Sequence, residues 1–221
     1  MSATNQNPAR ITQSVIFVFI VSMTFLPPVD TALGQVRRPD SKDSQLLELA
    51  KECAAQCTKI MEKWISSGAV SEEKLFSRLY YPMLDPHSKE PKLLTEPPKF
   101  TTDYDKLADR DIKPIEEAFV AKSPDIVYVI LVDSNGYLPA HIARFSQPLT
   151  GERDRDLLNN RSKRIFCDKA GLQAARNTDP YLIQTYKRDT GEIMDDLSVP
   201  VYVNGKHWGA VRFGYRVMSE K

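Results

Sequence analysis

Charge of one sign is missing from this chain: 30 Lys and Arg stand against 29 Asp and Glu, a formal net of +1 over 221 residues. So even a balance gives no strong field for polyanions and argues against a nucleic-acid partner. Cysteine is scarce as well. Three cysteines are too few, and odd in number, to staple a small exported scaffold. No C-x-x-C-H occurs, which excludes covalently attached haem. Internal repeats, low-complexity tracts and any recognisable catalytic signature are absent too. Apolar residues at 42% and charged residues at 27% give an ordinary globular balance. The length suits one domain, or one domain with a helical extension.

Only one long apolar run occurs, Val15 to Leu26. It is shorter than the roughly 20 residues that cross a bilayer comfortably. Arg10 precedes it, Pro27-Pro28 breaks it, and Ala32-Leu33-Gly34 offers small residues before Gln35. Residues 1–34 therefore read as a signal peptide, or as a signal anchor if uncleaved. The folded part is expected to be periplasmic or secreted, held at the inner membrane if the segment is retained.

Residues 35–69 read as a tether and a long amphipathic helix. Leu46, Ala50, Cys53, Cys57, Ile60 and Trp64 recur at steps of four and three, and Gly68 supplies a stop. Two readings are open: a helix packed on its own domain, or a homodimer stalk through 44–67. Cys53 and Cys57 share a face at i, i+4, where packing is the expectation and an intermolecular disulfide the alternative. Ser71 is a capping candidate for a short helix ending before Pro82. Five prolines in 82–103 mark an extended loop, and 105–122 is helical, with Ile112, Ile115, Ala118 and Phe119 as its stripe.

The last third carries the strands. Ile126–Val132 is β-branched and nearly all apolar, as expected at a sheet centre. Asp133-Ser134-Asn135-Gly136 predicts a tight hairpin turn into a return strand Tyr137–His141, which Pro139 places at an edge. A basic helix follows over 153–176. Three more strands lie at 181–186, 193–203 and 207–216, with Asn204-Gly205 as the last turn. This predicts an α+β fold: a five-stranded antiparallel sheet, a long N-terminal helix and a helical lid, with 70–221 as the main domain.

Four segments in fixed order carry a resemblance: 133–141 (DSNGYLPAH), 160–166 (NRSKRIF), 186–192 (YKRDTGE) and 200–209 (PVYVNGKHWG). They resemble the sensory module of certain bacterial methyl-accepting chemotaxis proteins over about residues 70–216. The chain departs from that pattern at Ile142, where those modules usually carry Asn. The helical signalling hairpin of such receptors does not occur in these 221 residues. The resemblance implies a PAS/Cache-like module, a small-molecule ligand and signalling through a partner such as a membrane receptor. It implies neither a catalytic residue, a metal nor a cofactor.

In a fold of that kind the ligand lies between sheet and lid. Arg161 and Arg164, three apart, would share one helical face and suit a carboxylate or phosphate, against the alternative of solvated or locally paired arginines. Tyr137, Tyr186 and Trp208 either line the pocket or pack in the core. His141 is a further candidate ligand-binding residue; it and His207 would sit on neighbouring strands. The competing function is a thiol-dependent protein built on Cys167 with one of these histidines, or a haem- or metal-binding one. Asp195 and Asp196 should point to opposite faces of a strand, so they form no acid–base pair.

Overall fold

The computed structural model describes residues 35–36 and 38–217, so the expected signal segment lies outside the described residues. The elements in chain order are β1 (Gln35–Val36), α1 (Ser41–Ser66), α2 (Glu72–Phe76), β2 (Tyr81–Pro82), β3 (Phe100–Thr101) and α3 (Asp105–Leu107). A π-turn (Ala108–Ile112) leads into α4 (Lys113–Val120), followed by β4 (Ile126–Asp133) and a 3-10 turn (Ala143–Phe145). Then come α5 (Arg153–Asn159), α6 (Lys169–Ala175), β5 (Leu182–Lys187), β6 (Ile193–Val203) and β7 (Lys206–Arg216).

The fold is α+β, with antiparallel sheets. Four long strands and the short β1 form the main one in the order β1-β5-β6-β7-β4, and β2 pairs with β3. The fifth strand is therefore the two-residue β1 and not Tyr137–His141, which meets only Ile165 in an isolated bridge. The two Asn-Gly pairs explain the difference. At Asn204-Gly205 both residues have positive φ, 48° and 73°, as a twist-matched two-residue hairpin requires. At the first pair only Gly136 does, at 81°. There the Asp133 carboxylate instead accepts from the backbone N–H of Asn135 (2.9 Å) and Tyr137 (3.0 Å) and turns the chain out of the sheet. Pro139, without an N–H, cannot rejoin a ladder.

Helix α1 is about 39 Å long at 1.5 Å per residue. Asp40 caps it in a box with Asp43, and Gly68 follows its end at φ 73°. Leu46, Ala50, Cys53, Cys57 and Trp64 are buried, but Ile60 gives way to Met61. A straight helix drifts about 20° per heptad against a 3.5 repeat, so the stripe moves on by one residue. It packs on the chain's own β6 and β7, against Leu197, Val199, Val201, Val211 and Phe213. The seam expected to be available to a homodimer through 44–67 is thus covered by its own sheet. No helix among the described residues is long and apolar enough to cross a membrane.

The 105–122 helix carries its π-turn where Pro114 follows, a residue with no N–H to continue an α-helical ladder. The expected stripe shifts in consequence: Ile112 and Phe119 are buried, Ala118 is exposed and Glu116 is buried in its place. Glu116 Oε1 accepts from Leu131 N–H at 3.0 Å on the open side of β4. That covers an edge: β4 pairs only with β7, yet it is buried throughout, like the central strand its sequence suggested.

The expected basic helix over 153–176 is broken. Arg161 N–H donates to Phe145 C=O (2.7 Å), Lys163 takes φ 62°, and Asp168 caps α6 through Gly171 N–H. Residues 137–175 as a whole cover the sheet face opposite α1, through Leu138, Ile142, Phe145, Phe166 and Ala175.

Two glycine substitutions test the turn argument. Gly205→Ala meets nothing within 4 Å, so it should cost about 1–2 kcal/mol for the left-handed φ alone. Gly136→Ala sets a Cβ 2.3 Å from Phe166 O and should cost a further ~1–3 kcal/mol. Urea unfolding of both variants would show that gap, and equal losses would refute the close approach at Gly136.

Candidate functional site

Strand alternation puts a polar row on the sheet face away from α1. Asp196 lies at its centre. Arg212 Nε donates to both its oxygens at 3.1 Å, and Arg212 Nη2 to Oδ2 at 3.0 Å. Tyr128 OH donates to Asp196 Oδ1 and lies against Tyr186 OH, each at 2.9 Å. Gly214 makes room for the Tyr128 ring, since a Cβ there would fall 2.0 Å from Cε1. Burial opposes charge on Arg212, but Asp196 overcomes it and holds the guanidinium charged. Burial, and then Asp196, push the Tyr128 hydroxyl well above its ordinary value. Two buried acceptors, Gln184 Oε1 and Ser198 Oγ, have no partner.

Above this row sits a cationic layer. Arg161 Nη2 donates to Asp189 Oδ1 at 2.7 Å and Arg164 Nη2 to Oδ2 at 3.2 Å, both guanidinia lying over Phe166. Arg164 Nη1 is buried without a partner. Burial and the neighbouring Arg161 lower the Arg164 pKa. Burial alone would raise Asp189, but Arg161, then Arg164, hold it below the usual carboxylate range. Lys99, buried with its Nζ on Ser162 C=O, is brought down to about 7 by burial and by Arg164 and Lys163. Arg188 is held between the rings of Tyr128 (5.7 Å) and Phe145 (5.6 Å), with Nη1 on Glu192 at 2.7 Å.

The residues singled out from sequence fall into two groups. Arg161, Arg164, His141 and Tyr186 lie on this cationic side, although Arg161 and Arg164 share no helix and meet through Asp189. His141 is buried against Phe145, its Nδ1 accepting from Ile142 N–H (2.9 Å). Burial, and then Arg161 and Arg188, keep it neutral. Tyr137 and Trp208 belong elsewhere, to the core. Tyr137 OH donates to Asp105 (2.8 and 2.9 Å), and Trp208 Nε1 to Leu75 C=O (2.9 Å). These large buried aromatics serve packing here rather than a pocket wall.

His207 is half-buried beside Tyr202, whereas His141 is buried against Phe145, so the two rings lie in different surroundings. Cys167 is exposed, with no hydrogen bond to either histidine among the described residues. Cys53 and Cys57 are buried inside α1's packing face; their mutual hydrogen bond, together with burial, pushes the Cys53 thiol far up. Among the described residues no three His, Cys, Asp or Glu cluster as metal ligands. Sequence reasoning missed Lys99, Tyr128, Arg188, Asp189 and Arg212. The alternation that correctly separated Asp195 from Asp196 could have found Arg212, two residues of β7 away from the glycine opposite Asp196.

No family model, curated protein or solved structure matches this chain.

Asp196→Asn leaves Arg212 buried and unpaired and should cost about 3–5 kcal/mol, whereas Asp196→Leu with Arg212→Met should cost less than the single change. Chemical denaturation of the three proteins reads this directly. Lys99 gives a pH signature. Between pH about 7 and 10.5 the unfolded chain holds this proton and the folded chain does not, so stability rises with pH there. Denaturation midpoints at pH 7 and 9 should diverge in the wild type and converge in Lys99→Met.

Proposed function

We propose that this chain is an exported, PAS/Cache-like sensory module that binds a small anionic ligand and signals through a membrane receptor partner, without catalysing a reaction. Three features support the reading. The 133–209 segments resemble chemotaxis sensor modules, a long N-terminal helix backs an antiparallel sheet, and the opposite face is polar, buried and arginine-rich. The exported location rests on residues 1–34.

The observation that carries the anionic ligand is the charge of the buried layer. Arg161, Arg164, Arg188 and Lys99 are all buried there. Asp189, shared by two of them, and the largely exposed Glu192 are the carboxylates that pair with these cations. Arg164, although paired with Asp189, still has one buried nitrogen without a hydrogen-bond partner, and an unmet buried donor is costly. A carboxylate or oxyanion would relieve that cost, and guanidinium geometry suits it; the cavity beside Arg164 and Lys99 is only about 10 Å³, so an anion reaches this layer only if the covering segment opens. Signal transfer has a short path: β6 and β7 carry Asp196 and Arg212 on one face and pack α1 on the other.

Thermal unfolding with a panel of carboxylates, phosphate and sulfate tests this. Binding anions raise the melting temperature by mass action, while their neutral amides and ionic-strength-matched chloride do not. Arg164→Gln or Arg188→Gln should cut the shift. A panel in which no anion exceeds the chloride control would end the reading.

A further inference from the structure

At the end of the sheet where β4 and β6 begin and β7 finishes, a cleft of about 630 Å³ opens between the strands and the 144–159 segment. That volume lies within the range of small-molecule sites, roughly 300–1,000 Å³. Its lining divides by chemistry. Leu158, Ile193 and Val217 offer exposed apolar surface around it, and the nearly buried Val127, Phe145 and Met194 close its floor. Three guanidinium groups, Arg144, Arg188 and Arg216, face the same space. Glu192 is the one carboxylate among the lining residues.

The arginines are not equivalent. Arg144 and Arg216 are exposed, and neither has an ion-pair partner among the described residues. Arg188 is a built feature: its side chain is 5% exposed, its guanidinium is fixed between two rings, and its hydrogen bond to protein goes through Nη1 to Glu192. Glu192 itself is 61% exposed and lies in the β5–β6 connection, so a competing carboxylate displaces it at little cost. A fixed guanidinium beside exposed apolar side chains selects two things at once: a carboxylate that can take two parallel N–H donors, and a hydrocarbon or aromatic body that packs on Leu158, Ile193 and Val217.

We infer that this cleft binds a monocarboxylate with an apolar body, of the size of an arylacetic or branched-chain acid, through Arg188. The assignment rests on the anionic-ligand reading above and narrows it to one site and one class. Glu192 holds Arg188 in the empty protein and leaves it when the ligand arrives. Since Asp189 lies in the same turn and pairs with Arg161 and Arg164, occupancy is felt directly in the cationic layer.

Titration calorimetry on the full chain tests it with phenylacetate and 4-methylpentanoate, each against its amide, and with acetate, succinate and phosphate. Both acids should bind at least tenfold more tightly than acetate, succinate and the amides. Arg188→Gln should weaken them at least tenfold, with circular dichroism confirming the fold. Ile193→Glu adds an anion at a 64% exposed margin position, spares the core, and should weaken them several-fold. Failure of both acids to bind, parity with acetate or the amides, or indifference to both variants overturns the assignment. If succinate or phosphate binds and Arg164→Gln abolishes it while Arg188→Gln does not, the cleft is wrong and the anionic reading survives. If no anion binds at all, both fall.

Discussion

The register of the β6–β7 hairpin is the constraint from which the rest follows. Eleven residues on each strand alternate between two chemically opposite environments. Leu197, Val199, Val201, Val211 and Phe213 face α1, while Asp196, Ser198, Arg212 and Gly214 face the cationic side. A slip of one residue would exchange the sets, setting a carboxylate and a guanidinium against the helix and five apolar side chains against arginines. The Asn204-Gly205 turn sets that register locally. The Asp196–Arg212 pair holds it at a distance, because both partners are buried and neither can find water elsewhere.

Where the chain obeyed a two-fold alternation, the sequence was informative. β5, β6, β7 and their turns fall close to the residues the pattern marked, and α1 stops ahead of Gly68 as expected, although it starts three residues before the Ser44 that the pattern marked. Legibility failed where a side chain outvoted the backbone pattern. Asp133 captured the N–H groups that a hairpin would have needed, so an Asn-Gly signal of the same spelling as Asn204-Gly205 produced no second strand. Pro114 put a π-turn into a helix and exchanged Ala118 for Glu116. β4 read as central because it is buried on both faces, and only the carboxyl that covers its edge separates that case from a true central strand.

The candidate site was half legible for a related reason. Arg161 and Arg164 stood out as a basic pair on a supposed helix, and they do converge, but through Asp189 in another part of the chain. Arg188 and Lys99 gave no local signal: one follows a strand and the other a proline-rich loop, and their meaning comes only from what surrounds them. Tyr137 and Trp208 look like site aromatics in sequence and are core residues in space. Burial away from bulk solvent is what makes the cationic layer consequential. The same arginines on an open surface would be ordinary solvated charges worth about 0–1 kcal/mol per pair.

Glu116 has an effect beyond the helix that carries it. Burial drives its carboxyl well above the usual range, which favours the uncharged acid against the outer flank of β4. An uncharged acid can sit there where a carboxylate would be expelled, and it occupies the amide of Leu131 that a foreign chain would otherwise take up. Exposed flanks of long apolar strands are the usual starting points for fibrils and swapped oligomers. One buried side chain, by taking up the Leu131 amide, thus helps to guard the most hydrophobic strand among the described residues against templated assembly.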